Sequence, residues 1–234
     1  MCDQVPGAKA KRRKLNGMTT AKGKTKREKT SITLSHPTLD PNPAHLRYYD
    51  GACDPEIAAE CMEHIRNVPP SDWLDVGRKP RQLEKQQLLY GRERSDRRVQ
   101  SPDIPVCFQA LYRQAVLRIQ QDRPDLFERI PKEAAVSCAV NQYVVKDPMK
   151  GSGKGLGMHC DSGAWEPLVI GVTLGDWRYL KFRHKQTKAW YRICTQPCSA
   201  YLFCDEFYTD WQHCSLPRSS KQDGTIYSIS YRFK

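Results

Sequence analysis

The chain has 234 residues, with 38 Lys and Arg against 26 Asp and Glu and a formal net charge of +12. That length holds one domain of ordinary size plus a tail, and a hydrophobic fraction of 39% with a mean hydropathy of -0.70 means that part of the chain is solvated rather than folded. No run of about 18 apolar residues is present and no apolar core follows the basic residues, so a membrane helix and a secretory signal are both excluded and an intracellular protein with no membrane partner is expected.

From Lys9 to Lys29 there are ten Lys or Arg residues, and residues 1–30 hold only Asp3 and Glu28 as acids, so this stretch carries +8 of the +12. A segment of that composition buries too little apolar surface to offset its chain entropy. Residues 1–45 are therefore read as a basic disordered tail and linker, and residues 46–234 as the folded domain. Within the tail, Lys11, Arg12 and Arg13 sit in a basic cluster suited to a nuclear import signal or a nucleic-acid contact, the alternative being a solubilising tail with no specific reader. The expected location is nuclear, or nuclear and cytoplasmic.

Asp54-Pro55 has the form of a helix start, with Asp as N-cap and Pro at the first helical position. Ile57, Cys61, Ile65 and Val68 then recur at helical spacing, and Pro69-Pro70 ends the run. Between Arg78 and Arg98 the chain is charged, with Arg78, Arg81 and Tyr90 as candidate nucleic-acid contacts and a solvated loop as the alternative. A second helix is expected after Pro105, with Phe108, Leu111, Ala115, Leu117 and Ile119 as its apolar stripe and a break near Pro124.

From about residue 134 short β-rich segments follow one another: Val136 to Val145, Leu168 to Leu174, Tyr179 to Phe182, Trp190 to Cys194, Ala200 to Cys204 and Thr225 to Phe233. Gly175-Asp176 and Asp223-Gly224 are turn signals. The fold class is α+β, mainly β: a two-sheet jelly roll with flanking N-terminal helices. The ten cysteines are expected as buried thiols. Cys194, Cys198, Cys204 and Cys214 lack the paired short spacings of a structural zinc site.

His159-Cys160-Asp161 puts an imidazole and a carboxylate at i and i+2, on one face if the segment is a strand. His213 follows 52 residues after Asp161. Two His and one carboxylate form the facial triad of non-heme Fe(II) oxygenases, which leaves coordination positions open for a cosubstrate and O2. Zinc accepts the same ligand types.

In this order the residues resemble the AlkB-like branch of the 2-oxoglutarate/Fe(II) dioxygenases, over roughly residues 75–233. Asn141-Gln142-Tyr143 is similar to the N-x-Y strand, Gly157 to Asp161 to the metal motif, Pro167 to Gly175 to the strand with an S-L-G-type turn, and Pro80-Arg81 with Leu89-Tyr90-Gly91 to the P-R…Y-G element before the substrate lid. The resemblance implies a double-stranded β-helix that binds Fe(II) through His159, Asp161 and His213, with 2-oxoglutarate held by Asn141 and Tyr143 and O2 as co-reactant. Succinate and CO2 would be released and the substrate hydroxylated; hydroxylation of an N-methyl group frees formaldehyde. The implied substrate is an alkylated base in DNA or RNA, flipped out or single-stranded, with Tyr90, Trp165 or Trp177 available to stack on it.

The last strand departs from the family pattern R-x-N-x-T-x-R. Aligned here are Ile226, Ser228, Ser230 and Arg232, so the first Arg is replaced by Ile226. Pairing the distal carboxylate of the cosubstrate then falls to Arg232, with Ser228 and Ser230 as neutral donors and Arg218 as a more distant substitute. Alternative readings are a protein or 5-methylpyrimidine hydroxylase of the same fold, and a catalytically inactive nucleic-acid-binding or scaffold relative. The intact triad argues against inactivity; Ile226 argues for it. The chain is read as a monomer.

Overall fold

The computed structural model describes residues 32–35, 39–40, 43–76, 85–91, 102–130, 137–143, 156–161, 166–216 and 225–233. Lys11, Arg12, Arg13, Arg78, Arg81, Trp165 and Arg218 lie outside them.

Two antiparallel sheets make the core. The larger takes, in spatial order, β2 (Leu46–Tyr49), β10 (Ser199–Cys204), β7 (Leu168–Gly175), β12 (Ile226–Arg232), β5 (Ser137–Tyr143), β4 (Lys85–Gly91) and β3 (Leu74–Val76). The smaller is β1 (Ile32–Leu34), β9 (Trp190–Thr195), β8 (Arg178–His184), β11 (Trp211–Leu216) and β6 (Leu156–His159). β3, β4 and β5 pair in succession, as do β8 and β9, but every other step from β5 to β12 passes from one sheet to the other, the wrapping of a jelly roll.

The six β segments expected from the sequence all form, with boundaries within a few residues. Others were not expected. β4 occupies part of the stretch expected as a charged loop, and β1 pairs with β9 through Ile32↔Ile193, so residues assigned to the linker extend the smaller sheet. β6 ends at His159, so Asp161 stands just past a strand rather than within one.

α1 (Pro55–Asn67) starts as the sequence requires: Asp54 Oδ1 accepts from the backbone N–H of Glu56 at 2.8 Å, and Pro55 takes the first position, where its missing N–H costs nothing. α2 (Val106–Asp122) buries Phe108, Leu111, Tyr112, Ala115, Val116 and Ile119. Leu117, expected on the buried stripe, is 56% exposed, because Tyr112 and Val116 complete the face that meets the sheet. A single turn, α3 (Pro124–Phe127), follows, and another, α4 (Glu206–Thr209), links β10 to β11.

The large sheet has two unlike faces, as the period of two demands. Leu88, Val140, Ile229, Val172 and Ala200 lie side by side and pack under α1 and α2. The opposite face looks at the smaller sheet. There Gln87, Asn141, Ser228, Thr173 and Ser199 form one polar row across five strands, and all five are buried. The next row holds Ala139, Ser230 and Gly171, a strip of small side chains, and the one after holds Ser137 and Arg232.

Candidate active site

β11 and β6 are paired so that His213 stands opposite His159. Their rings lie 4.3 Å apart between centroids, and the ligand atoms of His159, Asp161 and His213 all fall within 4.8 Å of one another. Among the described residues this is the one group of His, Cys, Asp or Glu gathered closely enough to hold a metal ion. His159 Nδ1 lies 2.8 Å from the carbonyl oxygen of Gly157, a bond in which Nδ1 donates, so that in the neutral ring Nε2 carries the lone pair that could ligate a metal. His213 is enclosed by Phe182 and Phe203, with ring centroids at 5.8 and 5.0 Å. Burial in that collar pushes its pKa down to about 3, so the imidazole is neutral at physiological pH and ready to ligate. Two neutral imidazoles and one carboxylate fit Fe(II).

Arg232 closes one side of this group. Its Nη2 donates to Asp161 Oδ1 at 2.7 Å, and the carboxylate side chain is only 5% exposed. A buried carboxylate held this way has an opposite charge beside it and a fixed orientation.

A second charged feature lies deeper between the sheets. Arg178 begins β8 and is 2% exposed. Its Nη1 donates to Ser215 Oγ at 2.8 Å, and its Nη2 to Ser228 Oγ at 2.7 Å and to the Tyr201 hydroxyl at 3.4 Å. Its guanidinium carbon lies 4.9 Å from the centre of the Tyr143 ring, and the Tyr143 hydroxyl bonds to Arg178 and Ser215. Burial raises the Tyr143 pKa while the Arg178 charge opposes the rise, so the phenol stays protonated. No described residue gives Arg178 a carboxylate. Ser215 is two residues past His213 on β11, about 7 Å along the strand. The strip of Ala139, Ser230 and Gly171 lies on the facing sheet between the row of Arg232 and the row of Ser228.

Gly171 is required there. A Cβ at this position would run into the Tyr201 ring, which crosses the strip to put its hydroxyl 3.1 Å from Ser228 Oγ. Gly175 is required at the β7–β8 turn, with φ of 80° and the Thr225 carbonyl against the place of a Cβ.

No family model and no curated protein matches the sequence. Among solved structures the chain is similar to OsALKBH1, with a TM-score of 0.59 and 15% identity over 82% of this chain and 99% of that one. It is also similar to a Pseudomonas putida prolyl-4-hydroxylase, with a TM-score of 0.53 and 12% identity over 82% of this chain and 94% of that one. The fold is AlkB-like. It is the jelly roll shared with these two structures, and the triad residues expected from the sequence come together within it.

The other expected positions divide between the interior of this AlkB-like fold and places remote from it. Tyr143 and Ser228 meet at Arg178. Ser230 belongs to the small-residue strip. Asn141 Oδ1 accepts from Gln87 Nε2 at 2.8 Å and its Nδ2 donates to the Ser228 carbonyl at 3.2 Å, which leaves one amide hydrogen for a ligand. Arg232 stands at the metal end, not at the deep end where Ser228 and Tyr143 converge. Tyr90 is 7% exposed, packed against His64 and Phe108 on the helix side of the large sheet, with its hydroxyl 3.2 Å from His64 Nε2; it is a core residue there rather than a contact surface. Trp177 is half-buried, edge-on to Tyr179.

The residue that sequence reasoning passed over is Arg178. The signal was present in the alternation of β8, where Arg178 falls in the inward phase of Leu180 and Phe182. A charge in the apolar phase of a strand is either an error of register or a site.

Proposed function

We propose that the protein is an Fe(II)/2-oxoglutarate-dependent oxygenase that hydroxylates, and by that route demethylates, an alkylated base in DNA or RNA. The observation that carries the oxygenase reading is the convergence of His159, Asp161 and His213 within 4.8 Å at one end of a polar-lined interior. Bound there, Fe(II) with 2-oxoglutarate and O2 supplies the power to hydroxylate an unactivated C–H bond.

The chain's own residues have three tasks. His159 and His213 offer neutral nitrogens, one fixed by the Gly157 carbonyl and the other by its aromatic collar. Arg232 orients Asp161 so that the anionic ligand does not swing to solvent. Asn141 and Tyr143 present an amide N–H and a phenol to the cosubstrate from one face of β5. The nucleic-acid substrate is supported by the basic tail with Lys11, Arg12 and Arg13 and by the Arg78 to Arg98 stretch, which suit phosphate contacts, and the same tail supports a nuclear location.

The test is succinate and formaldehyde release by the full chain with Fe(II), 2-oxoglutarate and methylated oligonucleotides. Formaldehyde in step with succinate, lost in His159→Ala and Asp161→Ala, is the expected result. Succinate tied to a protein substrate instead would overturn the nucleic-acid reading, and absence of Fe(II)-dependent 2-oxoglutarate binding would overturn the oxygenase reading.

A further inference from the structure

A guanidinium keeps its charge at any physiological pH, so Arg178 is a permanent cation inside the protein. Five features of its surroundings point to a ligand. First, it is 2% exposed. Second, every group bonded to it is neutral: the Ser215, Ser228, Tyr201 and Tyr143 hydroxyls. Third, its Nε has no hydrogen-bond partner among the described residues. Fourth, Thr173, fully buried and in register beside Ser228, has a hydroxyl with no partner among the described residues. Fifth, the cation lies on the interior, beyond the metal ligands along β11, with the small side chains of Ala139, Ser230 and Gly171 on the facing sheet.

We infer that Arg178, from β8, is the anchor for the distal carboxylate of a 2-oxo dicarboxylate cosubstrate, taking over the charge that Ile226 cannot provide on the last strand. The inference rests on the oxygenase reading and specifies its cosubstrate end. The planar fork of Arg178 matches a carboxylate's two oxygens. The hydroxyls of Tyr143, Tyr201 and Ser228 bond to the guanidinium, with Thr173 in register beside Ser228, and the carboxylate supplies the counter-charge that this ring of neutral groups lacks. Ile226 itself is buried in register with Tyr143, so it forms an apolar wall at the place where the family arginine would have stood. The site should therefore prefer a 2-oxo acid with a charged far end over one of equal length ending in a methyl group, because only the former neutralises the buried cation.

The test is calorimetric binding of 2-oxoglutarate and of 2-oxopentanoate to the full chain loaded anaerobically with Fe(II), compared with Arg178→Met and Arg178→Lys. Wild type should bind 2-oxoglutarate about 100-fold more tightly than 2-oxopentanoate, and Arg178→Met should lose that preference while keeping its affinity for 2-oxopentanoate and for the metal. Arg178→Lys keeps the charge without the fork and should weaken 2-oxoglutarate about tenfold. Unchanged 2-oxoglutarate affinity in either variant overturns the assignment while leaving the metal centre standing. Failure of wild type to bind either acid in the presence of Fe(II) overturns the oxygenase reading itself.

Discussion

Two arginines face the same interior and have opposite electrostatic situations. Arg232 is bonded at 2.7 Å to the carboxylate of Asp161, so its charge is matched by the protein. Arg178 is more deeply buried and is surrounded by hydroxyls, so its charge is solvated but not matched. Taking a charge out of water costs several kcal/mol after relaxation, and hydrogen bonds from neutral groups offset only part of that. A matched buried charge holds another side chain in place; an unmatched one calls for an anion from outside. The Asp161 end of the interior is thus charge-matched by the protein itself, whereas at the deep end the match would come from the carboxylate of the proposed cosubstrate.

The largest expected effect comes from removing a ligand at the metal end. His213→Ala should lower Fe(II) affinity by more than the roughly 10- to 100-fold typical of losing an outer-shell partner, measured by metal titration under anaerobic conditions. A retained affinity would show that the pair His159 and Asp161 suffices and that the β11 pairing is incidental.

Next in size is the contrast between the two arginines in the metal-free protein. Arg232→Met leaves a buried carboxylate without its cation and should cost about 3 kcal/mol in denaturant unfolding, whereas Arg178→Met removes an unmatched charge and should be neutral or stabilising. Loading with metal should shrink the cost of Arg232→Met, since the ion then compensates Asp161. Equal destabilisation by both substitutions would end the distinction between a matched and an unmatched cation.

Smaller again is Gly171→Ala. The added methyl meets the Tyr201 ring, so Tyr201 must leave Ser228 and Arg178; about 1–3 kcal/mol of stability should be lost, with weaker 2-oxoglutarate binding read by calorimetry. The smallest change serves as a control far from both ends. Asp54→Ala removes the cap of α1 and should cost about 1 kcal/mol in thermal unfolding, with cosubstrate affinity untouched.

Much of the site was legible before the fold was known, and the reasons are local. The spacing of His159 and Asp161 is set by the chain itself, and two residues of extended backbone carry both ligands to the same point even though β6 stops at His159. Asp54-Pro55 announced its helix because both residues act on the backbone next to them. β4 was not legible: its charged and amide residues read as loop, and only its pairing with β5 makes Gln87 an interior residue bonded to Asn141. Leu117 was misplaced on α2 because periodicity alone cannot tell which of two adjacent stripes meets the sheet.

The sequence by itself determined which three residues could ligate a metal, the alternation that builds the strands and the absence of an arginine at position 226. Only the tertiary structure decided where the two remaining interior arginines go. Arg178 and Ser228 are 50 residues apart in the chain, and Arg232 and Asp161 are 71 apart. What each guanidinium meets therefore depends on the register of strands in two different sheets, which no local pattern encodes. The period of two says that a side chain points inward; what waits for it there is set by the opposite sheet.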